Sequence, residues 1–123
     1  MNNLLITIDP RKHRIRFFKT LLSALGNPKY IQLMVNVEKK LLIVRYSEKE
    51  DRSTIKICSN IEKNDCYEVY SMKFIHKLLN LIGSTDNSNS YRLSGLLSQA
   101  ERVVVFPLTL AQKIDPKEEE SYE

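Results

Sequence analysis

The sequence predicts an α+β fold that contains one strand–helix–strand unit twice. The eleven residues RFFKTLLSALG, which begin at Arg16, return 57 residues later as KFIHKLLNLIG, beginning at Lys73. Bases, apolar positions, the Leu-Leu pair and the final Gly align without a gap. Apolar residues follow a helical period inside each copy and a strand period around it. Self-similarity at a fixed spacing is typical of folds built from repeated supersecondary units.

The first repeat opens with a strand and continues with a helix. A β-rich run over residues 4–8 ends at Asp9-Pro10. A helix is predicted over residues 14–25, because steps of 100° gather its apolar side chains on one face, and Gly26 supplies its C-terminal stop. The predicted buried face of this helix comprises Phe17, Phe18, Leu21, Leu22 and Leu25.

Strands complete the first repeat, and the second repeat follows the same order. The first set is predicted at residues 30–37, 41–46 and 53–58. A strand at residues 66–70 then leads to Ser71, a good N-cap, and to a helix at 72–82 that Gly83 ends. The apolar face of this helix comprises Phe74, Ile75, Leu78, Leu79 and Ile82. The remaining strands are predicted at residues 91–98 and 102–108, with a short last one at 110–114.

The single apolar face of each helix predicts how the two units pack. We expect both helices to lie side by side, roughly antiparallel, on one face of antiparallel sheets, because this arrangement buries both apolar stripes. The pairs Phe17 with Phe74 and Leu21 with Leu78 should then occupy equivalent environments. Residues 1–114 are predicted to form one domain, with repeats at about 3–58 and 65–114, and residues 115–123 a disordered acidic tail.

This order of elements, a strand, a helix and further strands performed twice, resembles one domain of the DNA sliding clamps. The resemblance covers nearly all of residues 3–114 and rests on element order and the repeat. It implies a non-enzymatic protein that associates with DNA. Clamp rings encircle DNA and contact it through the basic faces of their helices. Clamp subunits carry more than one such domain, whereas this chain supplies one. Copies of the chain could therefore form a homo-oligomer through their sheet edges.

The distribution of charge agrees with a DNA partner. Residues 1–114 hold 18 bases and 10 acids, a net charge of +8, while five acids lie among the last nine residues. Domains this basic often bind polyanions, although exposed helix faces also carry Lys and Arg for solubility. Contacts to phosphate groups would be independent of DNA sequence. The residues predicted to make them are Arg11, Lys12, Arg14, Arg16, Lys19, Lys73, His76 and Lys77.

A second interpretation is a protein-interaction or regulatory module that assembles through sheet edges or an apolar surface and does not bind nucleic acid. Residues 41–44 and 103–106 are apolar on both strand faces, which fits either central burial or a partner surface. We predict no enzyme, cofactor, metal or small-molecule site, because the chain has no nucleotide-binding loop and no metal-like spacing of Cys and His. The absence of a signal peptide and of a membrane-spanning stretch predicts a cytoplasmic protein.

Overall fold

The computed structural model describes residues 4–57, 66–83 and 89–114. These residues form an α+β fold with two helices, as the sequence predicts, but with ten strands instead of the eight predicted. The strands are β1 Leu5–Asp9, β2 Arg14–Phe18, β3 Tyr30–Asn36, β4 Leu41–Ser47, β5 Thr54–Lys56, β6 Cys66–Tyr70, β7 Ser90–Ser94, β8 Leu96–Ser98, β9 Val103–Pro107 and β10 Gln112–Ile114. The helices are α1 Lys19–Ala24 and α2 Met72–Ile82, and short 3₁₀ turns lie at Pro10–Lys12 and Leu108–Leu110.

The strands form two antiparallel sheets that share one hydrophobic core. Sheet A has the order β10-β7-β1-β2-β6, and sheet B has the order β5-β3-β4-β9-β8. One face of each sheet and one face of each helix contribute to the core, because side chains alternate between the two faces of a strand. Its fully buried members include Ile6, Ile8, Ile15, Phe17, Leu93, Ile31, Leu42, Val44, Val104, Phe106, Leu21, Ile75 and Leu78.

The helix predicted at residues 14–25 is wrong over residues 14–18, which form β2 instead. The backbone of β2 pairs with β1 on one side and with β6 on the other. Ile15 and Phe17 are fully buried, whereas Arg14 and Arg16 lie on the opposite face of the sheet. This alternation has a strand period, and pairing with two neighbouring strands satisfies the backbone better than one further helical turn would. The helix itself is left with six residues.

The predicted strand at residues 91–98 is divided at Gly95, where the chain passes from sheet A to sheet B. Gly95 donates a backbone hydrogen bond to the Leu4 carbonyl at 2.7 Å, which holds the corner. A Cβ atom at this position would lie 2.4 Å from Val104 Cγ1 and 2.7 Å from Phe106 Cε2. Only glycine therefore allows β7 and β8 to meet this closely above the core.

The second helix agrees with the prediction at both ends. Ser71 is the N-cap, and its side chain accepts a hydrogen bond from the Phe74 backbone N–H at 3.3 Å. Gly83 ends the helix with φ +90°, in the left-handed region that glycine adopts readily. The predicted equivalence of Phe17 and Phe74 is nevertheless wrong, because Phe17 is a buried strand residue and Phe74 is a half-buried residue of the first helical turn.

Both helices contribute to the same core. The α2 helix packs mainly on the Leu108–Leu110 turn and also on β2, and α1 packs on β2. The side-by-side, antiparallel arrangement of the two helices stays a prediction. Leu21 of α1 and Leu78 of α2 are both fully buried, as predicted. The predicted acidic tail and the last residue of the predicted strand at 53–58 lie outside the described residues. Among the described residues, no helix has the length and apolar character needed to cross a membrane.

Candidate nucleic-acid interface

The eight predicted phosphate-contacting residues are divided among four elements. Arg11 and Lys12 belong to the turn after β1. Arg14 and Arg16 lie on β2 rather than on a helix, so this part of the predicted helical surface is wrong. Lys19 is the first residue of α1. The other members of the set, Lys73, His76 and Lys77, lie on α2 as predicted.

The two β2 arginines belong to a network of ion pairs on the outer face of sheet A. Arg14 Nη1 donates a hydrogen bond to Glu68 Oε2 at 2.9 Å, and its Nε lies 3.6 Å from Asp9 Oδ2. Arg16 Nε lies 3.5 Å from the same Glu68 oxygen. Arg11 Nε lies 4.0 Å from Asp9 Oδ1. Asp9 is fully buried, and the Arg14 side chain is only 11% exposed.

Strand register explains why these side chains meet. Asp9 on β1 lies opposite Arg14 on β2, which lies opposite Tyr70 on β6. One row further along, Arg16 lies opposite Glu68. The Tyr70 hydroxyl also donates to Glu68 Oε1 at 3.0 Å. Three guanidinium groups thus face two carboxylates, so most of their charge is neutralised within the sheet.

Asp9 and Glu68 are therefore structural residues that the sequence analysis missed. The alternation of Arg14, Ile15, Arg16 and Phe17 is the sequence signal that could have identified β2 as a strand. Its pairing with β6 could not have been found in the same way, because about 50 residues separate the two strands. Arg16 also lies over the Phe18 ring, with 5.8 Å between Cζ and the ring centroid, which is near the limit for a cation–π contact.

The remaining cations are exposed, and three of them lie together on α2. Lys73, His76 and Lys77 project from the side of the helix opposite the buried residues Ile75 and Leu78. The helix contains no acid, and these three side chains form no ion pair with any described residue. Their spacing places them as neighbours on one helical face. Within the part of the chain that the structure describes, no carboxylate pairs with the charges of Lys73 and Lys77.

The start of α2 and Lys19 lie near opposite ends of β2. The α2 helix begins two residues after Tyr70, which lies opposite Arg14 at the start of β2, so Lys73 and Lys12 lie toward the same end of sheet A. Lys19 follows Phe18 at the other end of the strand. Lys73 and Lys12 are therefore nearer to one end of sheet A, and Lys19 is nearer to the other.

Features of a catalytic or metal site do not accompany these cations. Within residues 4–57, 66–83 and 89–114, no three or more His, Cys, Asp or Glu side chains are placed to hold a metal ion. Cys66 is buried at the start of β6. A shallow depression lies beside the start of α1, and its lining residues are Phe18, Lys19, Thr20 and Ser23. None of these is an acid, a histidine or a cysteine.

One carboxyl group outside this surface has a shifted pKa. The hydroxyl of Ser53 donates to Asp51 Oδ1 at 2.7 Å and lowers the pKa of Asp51, with further contributions from the backbone N–H groups of Ser53 and Thr54. The Ser53 backbone N–H donates to the same oxygen at 2.7 Å. Asp51 is fully exposed in the turn before β5, and the cause of the shift is local hydrogen bonding rather than burial.

The comparisons with known proteins leave the family open. No family model, curated protein or solved structure matches this chain. The resemblance to a sliding-clamp domain therefore stays a prediction from element order and the internal repeat.

Proposed function

We propose that this protein is a non-enzymatic, clamp-like protein that associates with the phosphate backbone of DNA. The observation that carries the proposal is the exposed face of α2, where Lys73, His76 and Lys77 form no ion pair with a carboxylate of the described residues. Such a face suits contacts to phosphate groups, which require positive charge but no complementarity to a particular base sequence. The net charge of +8 over residues 1–114 supports the same partner.

The clamp-like part of the proposal is supported by the order of elements. A strand, a helix and three strands follow one another as β2, α1, β3, β4 and β5. The series β6, α2, β7, β9 and β10 has the same order, with the short β8 inserted. Both helices belong to one core, as a duplicated unit requires. The different lengths of α1 and α2 and the extra strand β1 are departures from a strict repeat.

The contact surface that we propose is smaller than the one predicted from the sequence. It comprises the exposed residues Lys73, His76 and Lys77 of α2, with Lys12 in the turn after β1 and Lys19 at the start of α1 as separate contacts. Arg11, Arg14 and Arg16 instead stabilise sheet A through Asp9 and Glu68. An arginine that neutralises a buried carboxylate contributes less to phosphate binding, because moving it away would leave that carboxylate without compensation.

Charge reversal on α2 tests the proposal. We expect the native chain to bind a DNA duplex at low salt, with an affinity that falls steeply as salt is added, because bound phosphates release counterions. The double variant Lys73→Glu, Lys77→Glu should bind at least about tenfold more weakly and show a shallower dependence on salt. Fluorescence anisotropy with labelled duplex measures both quantities.

A matched control is available on sheet B. Lys39→Glu, Lys49→Glu makes the same change in net charge at two exposed positions in turns. This control should retain most of the affinity if α2 makes the contacts. Equal weakening by both double variants would show that net charge alone governs binding and would remove α2 from the proposal. Circular dichroism establishes that both variants remain folded.

A second candidate is assembly through a sheet edge without any nucleic acid. The observation that favours it is β6, which has five residues, whereas the other edge strands in the described residues, β5, β8 and β10, have three each. A longer edge strand is a better template for backbone pairing with another chain. Light scattering decides this candidate: a stable oligomer that binds no duplex would favour it, and a monomer would rule it out.

A further inference from the structure

The two strands that are apolar on both faces, β4 and β9, lie next to each other in the middle of sheet B. Their inward side chains, Leu42, Val44, Val104 and Phe106, are fully buried. Central position alone accounts for those residues. It does not account for the outward ones, because a sheet face that meets water normally carries polar side chains.

The outward apolar side chains form a continuous row across four strands. Met34 on β3 lies opposite Ile43 on β4, which lies opposite Val105 on β9, which lies opposite Leu96 on β8. We call these four residues the outer apolar row. At the usual strand spacing the row is about 14 Å long. Leu96 is 71% exposed, and the other three are half-buried by their neighbours on the sheet.

The strands of sheet B contribute only positive charges to the face that carries the outer apolar row. Arg45 and Lys56 point outward from β4 and β5, and both are exposed. None of the five strands of sheet B contains an acid. The turn between β3 and β4 lies beyond the row and carries Glu38 as well as Lys39 and Lys40. The charges that the sheet itself places on this face are therefore the bases Arg45 and Lys56.

We propose that the outer apolar row is a docking site for a segment of a partner protein that presents apolar side chains bordered by acidic ones. The apolar side chains would cover the row, and the carboxylates would lie near Arg45 and Lys56. Charge complementarity of this kind directs a partner into register and excludes basic competitors. This inference does not depend on the proposed association with DNA.

A second copy of the chain fits this face less well. The strands of a second sheet B supply no acid that could pair with Arg45 and Lys56 of the first, so two copies lack complementary charge. The row is also short compared with the roughly 800 Å² per partner that stable complexes bury. A single helix or strand of a partner fits better, because it can carry acids and needs only a short contact surface.

Selection from a random-peptide phage library against the full chain tests the proposal. We expect the selected peptides to combine apolar with acidic residues and to shift backbone amide resonances of β3, β4, β8 and β9. The variants Leu96→Glu and Arg45→Glu should each weaken a selected peptide about tenfold or more. Raising the salt concentration should weaken the native complex more than the Arg45→Glu complex, since screening acts on charge pairs.

Two matched variants separate this site from general effects of charge and exposure. Leu110 is 72% exposed but lies outside sheet B, and Arg52 is an exposed base in the turn before β5. Leu110→Glu and Arg52→Glu should therefore leave peptide binding unchanged. The proposal is overturned if no peptide is enriched, if enriched peptides lack acids, or if they bind Leu96→Glu as well as the native chain. A dimer that Leu96→Glu dissociates would assign the face to a second copy instead.

Discussion

Arg14 and Asp9 form an ion pair in which the carboxylate is fully buried, with 3.6 Å between Arg14 Nε and Asp9 Oδ2. The same guanidinium donates to Glu68 on the neighbouring strand β6. Arg14 therefore connects three strands of sheet A through charge as well as through backbone hydrogen bonds. Breaking a buried pair is more costly than breaking an exposed one, because the remaining charge is left without compensation.

Replacing Arg14 with methionine should lower the free energy of unfolding by about 3 kcal/mol, because Asp9 would stay buried with only the more distant Arg11 beside it. Urea unfolding measures the change. The double variant Arg14→Met, Asp9→Asn should be more stable than Arg14→Met alone, since it removes the orphaned charge. A loss below about 0.5 kcal/mol, the size expected for the exposed control Arg52→Met, would contradict a structural role for the network.

Replacing Gly95 with alanine should destabilise the fold by about 1–3 kcal/mol, because the new methyl group would overlap Val104 and Phe106 in the core. Thermal unfolding measures this effect. Shortening Val104 to alanine in the same chain should recover part of the loss. A double-mutant cycle with no coupling between positions 95 and 104 would show that the corner relaxes without touching the core.

Truncating Leu21 or Leu78 to alanine should cost about 2–5 kcal/mol each, because both side chains are fully buried and would leave a cavity. Chemical denaturation compares the two variants with Leu110→Ala, whose side chain is largely exposed and should lose little. Similar losses at positions 21 and 78 agree with their equivalence in the repeat. A small loss at one of them would show that the helix carrying it is loosely packed.

The stability of the turn at Asp51 should decrease as the pH falls. Because the folded pKa of Asp51 is lowered, the stability contributed by its ionised form is present above the ordinary pKa of an aspartate and is lost as the pH falls through the folded pKa. Substituting Ser53 with alanine should move the Asp51 pKa up toward its ordinary value, whereas Ser98→Ala should not. Carboxyl-carbon NMR titration follows both. An unchanged Asp51 pKa in Ser53→Ala would contradict the hydrogen-bond explanation.

Local signals were sufficient for α2 and for most of the strands. Ser71, Gly83 and the apolar positions between them define α2. The structure has this eleven-residue helix at Met72–Ile82, as predicted. The α+β class follows from such signals as well. The candidate cations on α2 could be predicted for the same reason, since a helical face can be worked out from spacing alone.

What the sequence by itself determined about this protein is therefore the class of fold, the second helix and the helical cations Lys73, His76 and Lys77. Tertiary structure alone decided that residues 14–18 form a strand, that Gly95 divides β7 from β8, and that Arg14 and Arg16 pair with carboxylates. The physical reason is the distance along the sequence between the residues that interact. Caps and helical faces depend on residues within a few positions, whereas strand pairing and ion pairs depend on partners that the fold brings from far along the chain.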